Sequence, residues 1–295
     1  MNKLKIIWLV KICAFTVFLG RAYQLYFFGA PFRAILWDES LLTPIVEGLS
    51  NYSWQEYATS SRVNIWIDGF TKFCSFIFLL AAIISLFWDK IGYRRLKQII
   101  ISLALLVLLV IGICMVKDKN YEYLLIFELF IQLAAPVLLL WNEGLDKIES
   151  NKVVNGLKIA IACTFIAHGL FAMGLIYLPG YFVDMTIMIL GLNESQATAF
   201  LYVAGVLDLV MSVLIFVPRL SKYALLYMVF WGLTTAFARL FAGFSSDFMA
   251  SSLHGSLYLV IYRLSHGLLP LLVLLMEKKL KKEKLPTDEN EITFS

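Results

Sequence analysis

Charged side chains, prolines and cysteines are all scarce in this chain. Asp, Glu, Lys and Arg together make up 16% of the 295 residues, and the chain has 7 prolines and 4 cysteines. The cysteines form no CxxC pair of the kind that zinc or thiol-redox sites use. The sequence also has no P-loop, no GxSxG or HExxH motif and no dinucleotide-binding glycine pattern. These absences argue against the common soluble enzyme classes and against a metal site.

Apolar sequence, in contrast, is abundant. Hydrophobic residues make up 60% of the chain, and the mean hydropathy is +0.80. A bilayer crossing needs roughly 20 apolar residues, and a backbone inside lipid satisfies its own hydrogen bonds most simply as a helix. We therefore predict an all-α, polytopic transmembrane bundle of about eight spans, at 6–27, 69–88, 97–116, 122–141, 158–178, 196–217, 223–243 and 256–276.

The basic residues predict the orientation of these spans. With eight spans, most lysines and arginines outside the bilayer fall on one side, which is typical of the cytoplasmic side. We therefore expect both termini to be cytoplasmic. This placement also explains the net charge of +4 without a nucleic-acid partner. The residues on that side are Lys3, Lys5, Lys90, Arg94, Arg95, Lys97, Lys147, Lys152, Lys158, Arg219, Lys222, Lys278, Lys279, Lys281, Lys282 and Lys284.

The chain divides into two similar halves. The fourth span contains QLAAP at 132–136 and the eighth contains HGLLP at 266–270, so each has a polar residue four positions before a proline. We predict a first four-helix repeat over 1–145 and a second over 150–285, parallel to each other, followed by a disordered cytoplasmic tail at 286–295. Chance similarity between apolar sequences is the alternative. An outer segment at 29–68 is rich in aromatic residues, and within it the apolar spacing of residues 33–49 predicts a short interfacial helix on the outer surface.

Seven ionisable residues lie within the predicted spans. Charges at this depth are costly and usually face the interior of a bundle, with a partner. We predict that they form a polar pocket that opens outward, although each could instead be a hydrogen-bonded contact that fixes helix packing. The residues are Arg21, Glu128, His168, Asp208, Arg239, Arg263 and His266.

Their chemistry suggests two kinds of role. Asp208 and Glu128 are the candidate catalytic residues, because carboxyl groups can carry protons. Arg21, His168, Arg239, Arg263 and His266 are candidate ligand-binding residues for an anionic or carbonyl group. Asp208 has mainly apolar neighbours on its own helix, so we expect its partner to be Arg239, Arg263 or His168. The two histidines suit a quinone headgroup, and haem ligation is the alternative.

The second half resembles the DoxX-like group of four-helix membrane proteins. The likeness covers roughly 158–276 and rests on HGLF at 168–171, YLPG at 177–180, GVLD at 205–208 and FVPR at 216–219. Asp208 stands where that group often has glutamate. A weaker likeness links the segment from Arg21 to Ser40 with the membrane region of vitamin K-dependent carboxylase-like proteins. The DoxX-like resemblance implies a bacterial inner (plasma) membrane protein, with relatives among the subunits of quinone-linked oxidoreductases.

Three functions are compatible with these features. The leading one is a quinone-linked redox or accessory subunit that works with other membrane or redox subunits. A small-molecule or ion transporter would use the two halves as rocking units around the same residues. A non-catalytic scaffold or assembly factor would need only the packing role of the buried charges. The sequence does not establish that the chain is an enzyme.

Overall fold

The computed structural model describes residues 3–141 and 150–284, and the regular structure in these ranges is helical throughout. The predicted boundary between the halves, Lys147 and the predicted tail at 286–295 lie outside the described residues. The helices are α1 (Lys3–Phe27), α2 (Arg33–Leu36), α3 (Glu39–Leu49), α4 (Trp54–Thr59), α5 (Ser61–Leu86), α6 (Arg94–Asp118), α7 (Leu124–Trp141), α8 (Asn151–Ala172), α9 (Gly180–Leu190), α10 (Glu194–Leu214), α11 (Ser221–Ala242), α12 (Met249–Arg263) and α13 (Ser265–Lys284).

The all-helical prediction is confirmed, and the number of spans agrees closely with it. Seven stretches in the described residues are long and apolar enough to cross a membrane: α5, α6, α7, α8, α10, α11 and the α12–α13 unit. The first predicted span, α1, is a 25-residue helix packed against α5, α7, α12 and α13. Large apolar side chains such as Phe73, Leu106 and Val213 are exposed on the outside of the bundle. These features are typical of a multi-pass membrane protein.

The helices pack in the same order in the two halves. In the first half, α1 packs on α5, α5 on α6, and α6 on α7; in the second, α8 packs on α10, α10 on α11, and α11 on α12 and α13. The halves also meet reciprocally, because α7 packs on α8 while α12 and α13 pack on α1. Two parallel repeats would pack in this order. The repeat itself stays a prediction.

The outer segment contains three short helices, and the predicted interfacial helix at 33–49 is divided into α2 and α3. Asp38 separates α2 from α3, and its side chain accepts a hydrogen bond from the backbone N–H of Leu41 at the start of α3. Asp38 also forms an ion pair with Lys117 in the last turn of α6. Hydrogen bonding to Lys117 lowers the pKa of Asp38 to about 2, with further contributions from Ser40 and Leu41. This ion pair ties the outer segment to α6.

Two predicted spans differ from the structure near the site. The fifth ends at Ala172 instead of residue 178, because the chain turns at Gly174, whose φ is +69°, and Pro179 then starts the separate helix α9. The eighth is interrupted at Leu264, which divides it into α12 and α13. Both differences lie next to predicted site residues, so the elements that shape the site are more numerous than the apolar runs indicate.

Buried lysines at the opposite end of the bundle from α9 have acidic partners. Lys11 of α1 forms an ion pair with Asp89, just after α5. Lys158 of α8 lies 2.6 Å from the carboxylate of Glu277 in α13, and the hydroxyl of Ser221 donates to the same carboxylate. These charges are neutralised locally, as is usual for buried charges.

Candidate functional site

The site lies where the two halves meet. Five of the seven predicted residues line one cavity in the second half: His168, Asp208, Arg239, Arg263 and His266. Glu128 lies behind His168 and Arg263 and contacts both. Arg21 is set apart on α1, and neither it nor Glu128 lines the cavity. Whether these residues bind a ligand stays a prediction, but their side chains are grouped as the sequence suggested.

Glycines allow the helices that carry the site to approach closely. A Cβ atom at Gly169 would lie 2.8 Å from the carbonyl oxygen of Gly205, so α8 and α10 touch backbone to backbone beside His168 and Asp208. At Gly232 of α11, a Cβ atom would collide with the backbone of His266 on α13. A side chain at either position would push the helices apart. The glycines therefore set the spacing of the polar residues.

The helix break at Leu264 positions His266. Its Nδ1 lies 3.1 Å from the carbonyl oxygen of Arg263, which lies in the interrupted turn between α12 and α13. A carbonyl oxygen can only accept, so Nδ1 of His266 carries a hydrogen, and in the neutral ring Nε2 is then an acceptor. The break therefore fixes the ring through a backbone contact and points Nε2 towards α8.

His168 connects His266 with Glu128. Its Nε2 lies 3.4 Å from Nε2 of His266, and its Nδ1 lies 3.5 Å from Oε1 of Glu128. With His266 neutral, Nε2 of His168 can donate to it, and the contact of Nδ1 with Glu128 is then favourable only with a further proton between them. A protonated carboxyl facing a neutral imidazole and a carboxylate facing an imidazolium both satisfy this order. In either form the Glu128–His168 pair is neutral as a whole.

The direct contact between the histidines bears on the haem alternative. Two imidazoles that bind one iron from opposite sides are separated by about 4 Å, from two metal–nitrogen bonds of about 2 Å, with the porphyrin between them. The separation of 3.4 Å is shorter, and the two ring planes are tilted by 52° to each other. This arrangement does not fit a haem. Within the described residues no group of three or more His, Cys, Asp or Glu side chains could hold a metal ion.

Two arginines lie against the ring of Tyr262, and a third, Arg239, is close enough to act on it electrostatically. The guanidinium of Arg21 lies 4.3 Å from the centre of the tyrosine ring, and that of Arg263 lies 5.8 Å from it. Arg21 donates to the side-chain oxygens of Gln132 and Gln24, at 2.7–3.0 Å. Arg239 donates to the backbone oxygen of Thr235 at 2.5 Å. The hydrogen bonds of Arg21 and Arg239 therefore go to neutral acceptors.

Arg263 is only partly satisfied. Its Nη2 lies 4.0 Å from Oε2 of Glu128, at the limit of an ion pair. Its Nε is buried and has no hydrogen-bond partner among residues 3–141 and 150–284. A buried donor without a partner is unusual in a folded protein. Arg263 therefore has hydrogen-bonding capacity to spare where it lines the cavity.

Asp208 has a different partner from the one expected. The hydroxyl of Tyr227 on α11 donates to its carboxylate at 2.8 Å, and the indole of Trp231, one turn further along α11, hydrogen-bonds to the same group. The prediction of Arg239, Arg263 or His168 as partner is therefore wrong. Neutral donors stabilise a carboxylate without cancelling its charge. Asp208 is therefore held by Tyr227 and Trp231 and not by an arginine.

The cavity itself is small and mainly apolar. It has a volume of about 150 Å³, and α9 covers one side with Phe182, Met185 and Ile189. A neighbouring groove between α9 and α11 shares Ile189, Thr234 and Ala238 with the cavity wall. The groove continues along Phe237 and Phe241 on the outside of α11. The cavity is thus adjacent to the apolar exterior of the bundle.

Sequence analysis did not identify the tyrosines or α9 as parts of the site. Tyr227 and Tyr262 lie in apolar runs, where a tyrosine is equally typical of an interface anchor. At 11 residues, α9 is too short for a span, but the proline before it and the glycine after it are helix start and stop signals. Those two signals could have identified the helix.

Comparison with known proteins gives no further guidance. No family model, no curated protein and no solved structure matches this chain. The DoxX-like resemblance therefore rests on the short motifs quoted above. The functional argument has to be made from the cavity and its surroundings.

Proposed function

We propose that this chain binds a lipophilic molecule in the cavity and holds its polar headgroup at the histidine–arginine cluster. The observation that carries the proposal is the shared wall of Ile189, Thr234 and Ala238 between the cavity and the outer groove. Because these residues face both spaces, a molecule dissolved in the bilayer needs to cross only one layer of side chains. The proposal thus places the opening between α9 and α11.

The size of the cavity supports a headgroup rather than a whole ligand. A cavity of about 150 Å³ holds a molecule of the size of benzene, whereas sites for complete small ligands are roughly 300–1,000 Å³. The cavity volume of about 150 Å³ therefore suits one ring or one small polar group. The apolar remainder of the ligand would lie in the groove along Phe237 and Phe241.

Quinone is the candidate that the DoxX-like resemblance supplies. A quinone carbonyl would accept hydrogen bonds from Arg239 or Arg263, which line the cavity together with His168 and His266. Quinone reduction consumes protons as well as electrons, and the Glu128–His168 pair, one step behind His266, is placed to share and deliver a proton. Under this proposal Glu128 and Asp208 handle protons, and an electron-donating membrane subunit is the partner.

We also propose a bacterial inner-membrane location with both termini in the cytoplasm. Eight crossings, with α1 counted beside the seven apolar stretches and α12–α13 counted as one of them, would return the chain to the side on which it starts. The lysines at the two ends, such as Lys5 and Lys282, suit the cytoplasmic face. Cysteines introduced at these two positions should be labelled by a membrane-impermeant reagent only from the cytoplasmic side, and one at Tyr52 only from the outside.

The ligand proposal can be tested with a short-chain benzoquinone and the purified chain in non-ionic detergent. An organic extract and a visible spectrum first establish which quinone or other chromophore the chain carries. We then expect Ala238→Trp, which fills the shared wall, to reduce binding of the added quinone at least tenfold. Val213→Trp is the matched control, because Val213 is 66% exposed on α10 and far from the groove residues in sequence.

Two outcomes would contradict the proposal. One is an extract without any lipophilic compound together with no saturable binding of the added quinone or of a simple alkyl amphiphile. The other is equal binding by both tryptophan variants, which would show that access does not pass between α9 and α11.

A further inference from the structure

The arginines near the cavity differ from the buried lysines of the same chain in one respect. Lys11 and Lys158 each form an ion pair with a carboxylate. Arg21 and Arg239 donate to amide, backbone and other neutral oxygens, and Arg263 reaches Glu128 only at 4.0 Å. The chain thus neutralises its interior cations at one end of the bundle and leaves them largely unneutralised at the other.

Glu128 supplies at most one negative charge to the three arginines. It lies 4.0 Å from Nη2 of Arg263, at the limit of an ion pair, and it also contacts His168 at 3.5 Å. Asp208 is engaged with Tyr227 and Trp231. Three guanidinium groups near Tyr262 therefore face, within the described part of the chain, at most one uncommitted negative charge. An unpaired cation inside a bundle is unfavourable.

The unused N–H groups of the arginines also indicate that an anion is missing from the cavity. Within residues 3–141 and 150–284, Nε of Arg263 is buried without a hydrogen-bond partner. In the same residues, Arg239 makes one hydrogen bond, from Nη1 to the backbone oxygen of Thr235. Each guanidinium has five N–H groups in a planar fork that matches the oxygens of a carboxylate or phosphate. Both side chains line the cavity. An oxyanion in the cavity would therefore supply both the charge and the acceptors that the fold leaves out.

We infer that the ligand is an anionic amphiphile: a phosphate or carboxylate headgroup that lies between Arg239 and Arg263, carried on an apolar chain that occupies the groove between α9 and α11. This inference rests on the proposed function, because it assumes that a lipophilic molecule enters the cavity. It goes further in that it assigns a negative charge to the headgroup. A neutral quinone would leave the arginine charge unbalanced.

The test compares headgroups on a chain of constant length. Dodecyl phosphate, dodecanoate and dodecanol are titrated into the full-length chain in non-ionic detergent, with a short-chain benzoquinone and inorganic phosphate as further probes. We expect dodecyl phosphate or dodecanoate to bind at least tenfold more tightly than dodecanol. The phosphate and carboxylate arms identify which oxyanion is preferred, and inorganic phosphate alone should bind much more weakly.

Variants locate the charge effect. Arg239→Gln should reduce binding of the preferred anion at least tenfold and leave dodecanol binding unchanged, whereas Arg239→Lys should retain part of the affinity. Arg219→Gln, which removes a charge from the loop between α10 and α11, is the matched control and should have no effect. If R239Q does not accumulate as a folded protein, the order of affinities for the three dodecyl compounds on the unsubstituted chain still tests whether the headgroup is anionic.

The outcomes separate this inference from the proposed function. Equal binding of dodecanol and the anions, or tight binding of the quinone alone, would overturn the anionic headgroup and leave the lipophilic site intact. Binding of inorganic phosphate as tight as that of dodecyl phosphate would overturn the apolar chain and, with it, the lipophilic site. No binding of any probe would overturn both.

Discussion

Gln132 of α7 and His266 of α13 hold equivalent places in the two halves of the chain. Each lies four residues before a proline, and each contacts the polar residue near the end of the first helix in its own half. Gln132 accepts from Arg21 at 2.7 Å, and His266 lies 3.4 Å from His168.

The residues one turn earlier make the reciprocal contacts between halves. Glu128 lies 3.5 Å from His168, and the ring of Tyr262 lies 4.3 Å from the guanidinium of Arg21. Two parallel repeats would produce this exchange. Different residues at matching positions would also explain why the histidines and the two arginines that line the cavity all come from the second half.

The shared proton between Glu128 and His168 predicts an unusual result for Glu128→Gln. A glutamine amide can donate to Nδ1 of His168 and keeps the pair neutral, so E128Q should unfold within a few degrees of the wild-type temperature. Glu128→Ala removes the partner of a buried imidazole and should cost about 1–3 kcal/mol. Thermal unfolding in detergent measures both. An equal loss of stability in E128Q and Glu128→Ala would contradict the assignment of a shared proton to this pair.

Tyr227→Phe should destabilise the chain through Asp208. The substitution removes the hydroxyl that donates to the buried carboxylate at 2.8 Å, and hydrogen bonds to charged groups contribute about 1.5–3 kcal/mol. Tyr223→Phe is the control, since Tyr223 is exposed on the same helix, and it should change the free energy of unfolding by less than about 0.5 kcal/mol. Denaturation of the two variants side by side should show this difference, and its absence would contradict the role of Tyr227.

Gly232→Ala tests the spacing of α11 and α13. The added methyl group would collide with the backbone of His266, and such overpacking costs about 1–3 kcal/mol. We also expect weaker ligand binding, because Arg239 on α11 would move relative to Arg263. Gly156→Ala in α8 meets no atom within 4 Å and should be neutral or slightly stabilising. A G232A variant as stable as G156A would show that the close contact is unimportant.

The Asp38–Lys117 ion pair gives the outer segment a defined pH dependence. The folded-state pKa of Asp38 is about 2, lowered from 3.8 mainly by hydrogen bonding to Lys117. Because the folded pKa is depressed, the stabilisation is fully present above 3.8 and is lost as the pH falls towards 2. Hydrogen exchange in α3, corrected for the intrinsic rate, should be constant from pH 8 to 5 and faster at pH 2.5. Asp38→Asn should remove the difference between the two pH values.

The sequence predicts the helical class and the grouping of the charged residues for a clear physical reason. An ionisable side chain in an apolar run has to turn inward, so the seven ionisable residues, among them Glu128, His168 and Arg263, were expected to form a pocket. The interruption at Leu264 was not predictable in the same way, because neither glycine nor proline lies at that position. Nor was the partner of Asp208, since a tyrosine in a span has no distinctive pattern. Both depend on how helices distant in sequence pack.

The most direct test of the lipid-accessible cavity is native mass spectrometry of the chain released from lipid nanodiscs. We predict that the wild-type chain retains one lipophilic molecule, and that this molecule is lost from Ala238→Trp but kept by Val213→Trp. A wild-type mass equal to that of the bare chain, or equal retention by both variants, would contradict the proposed site.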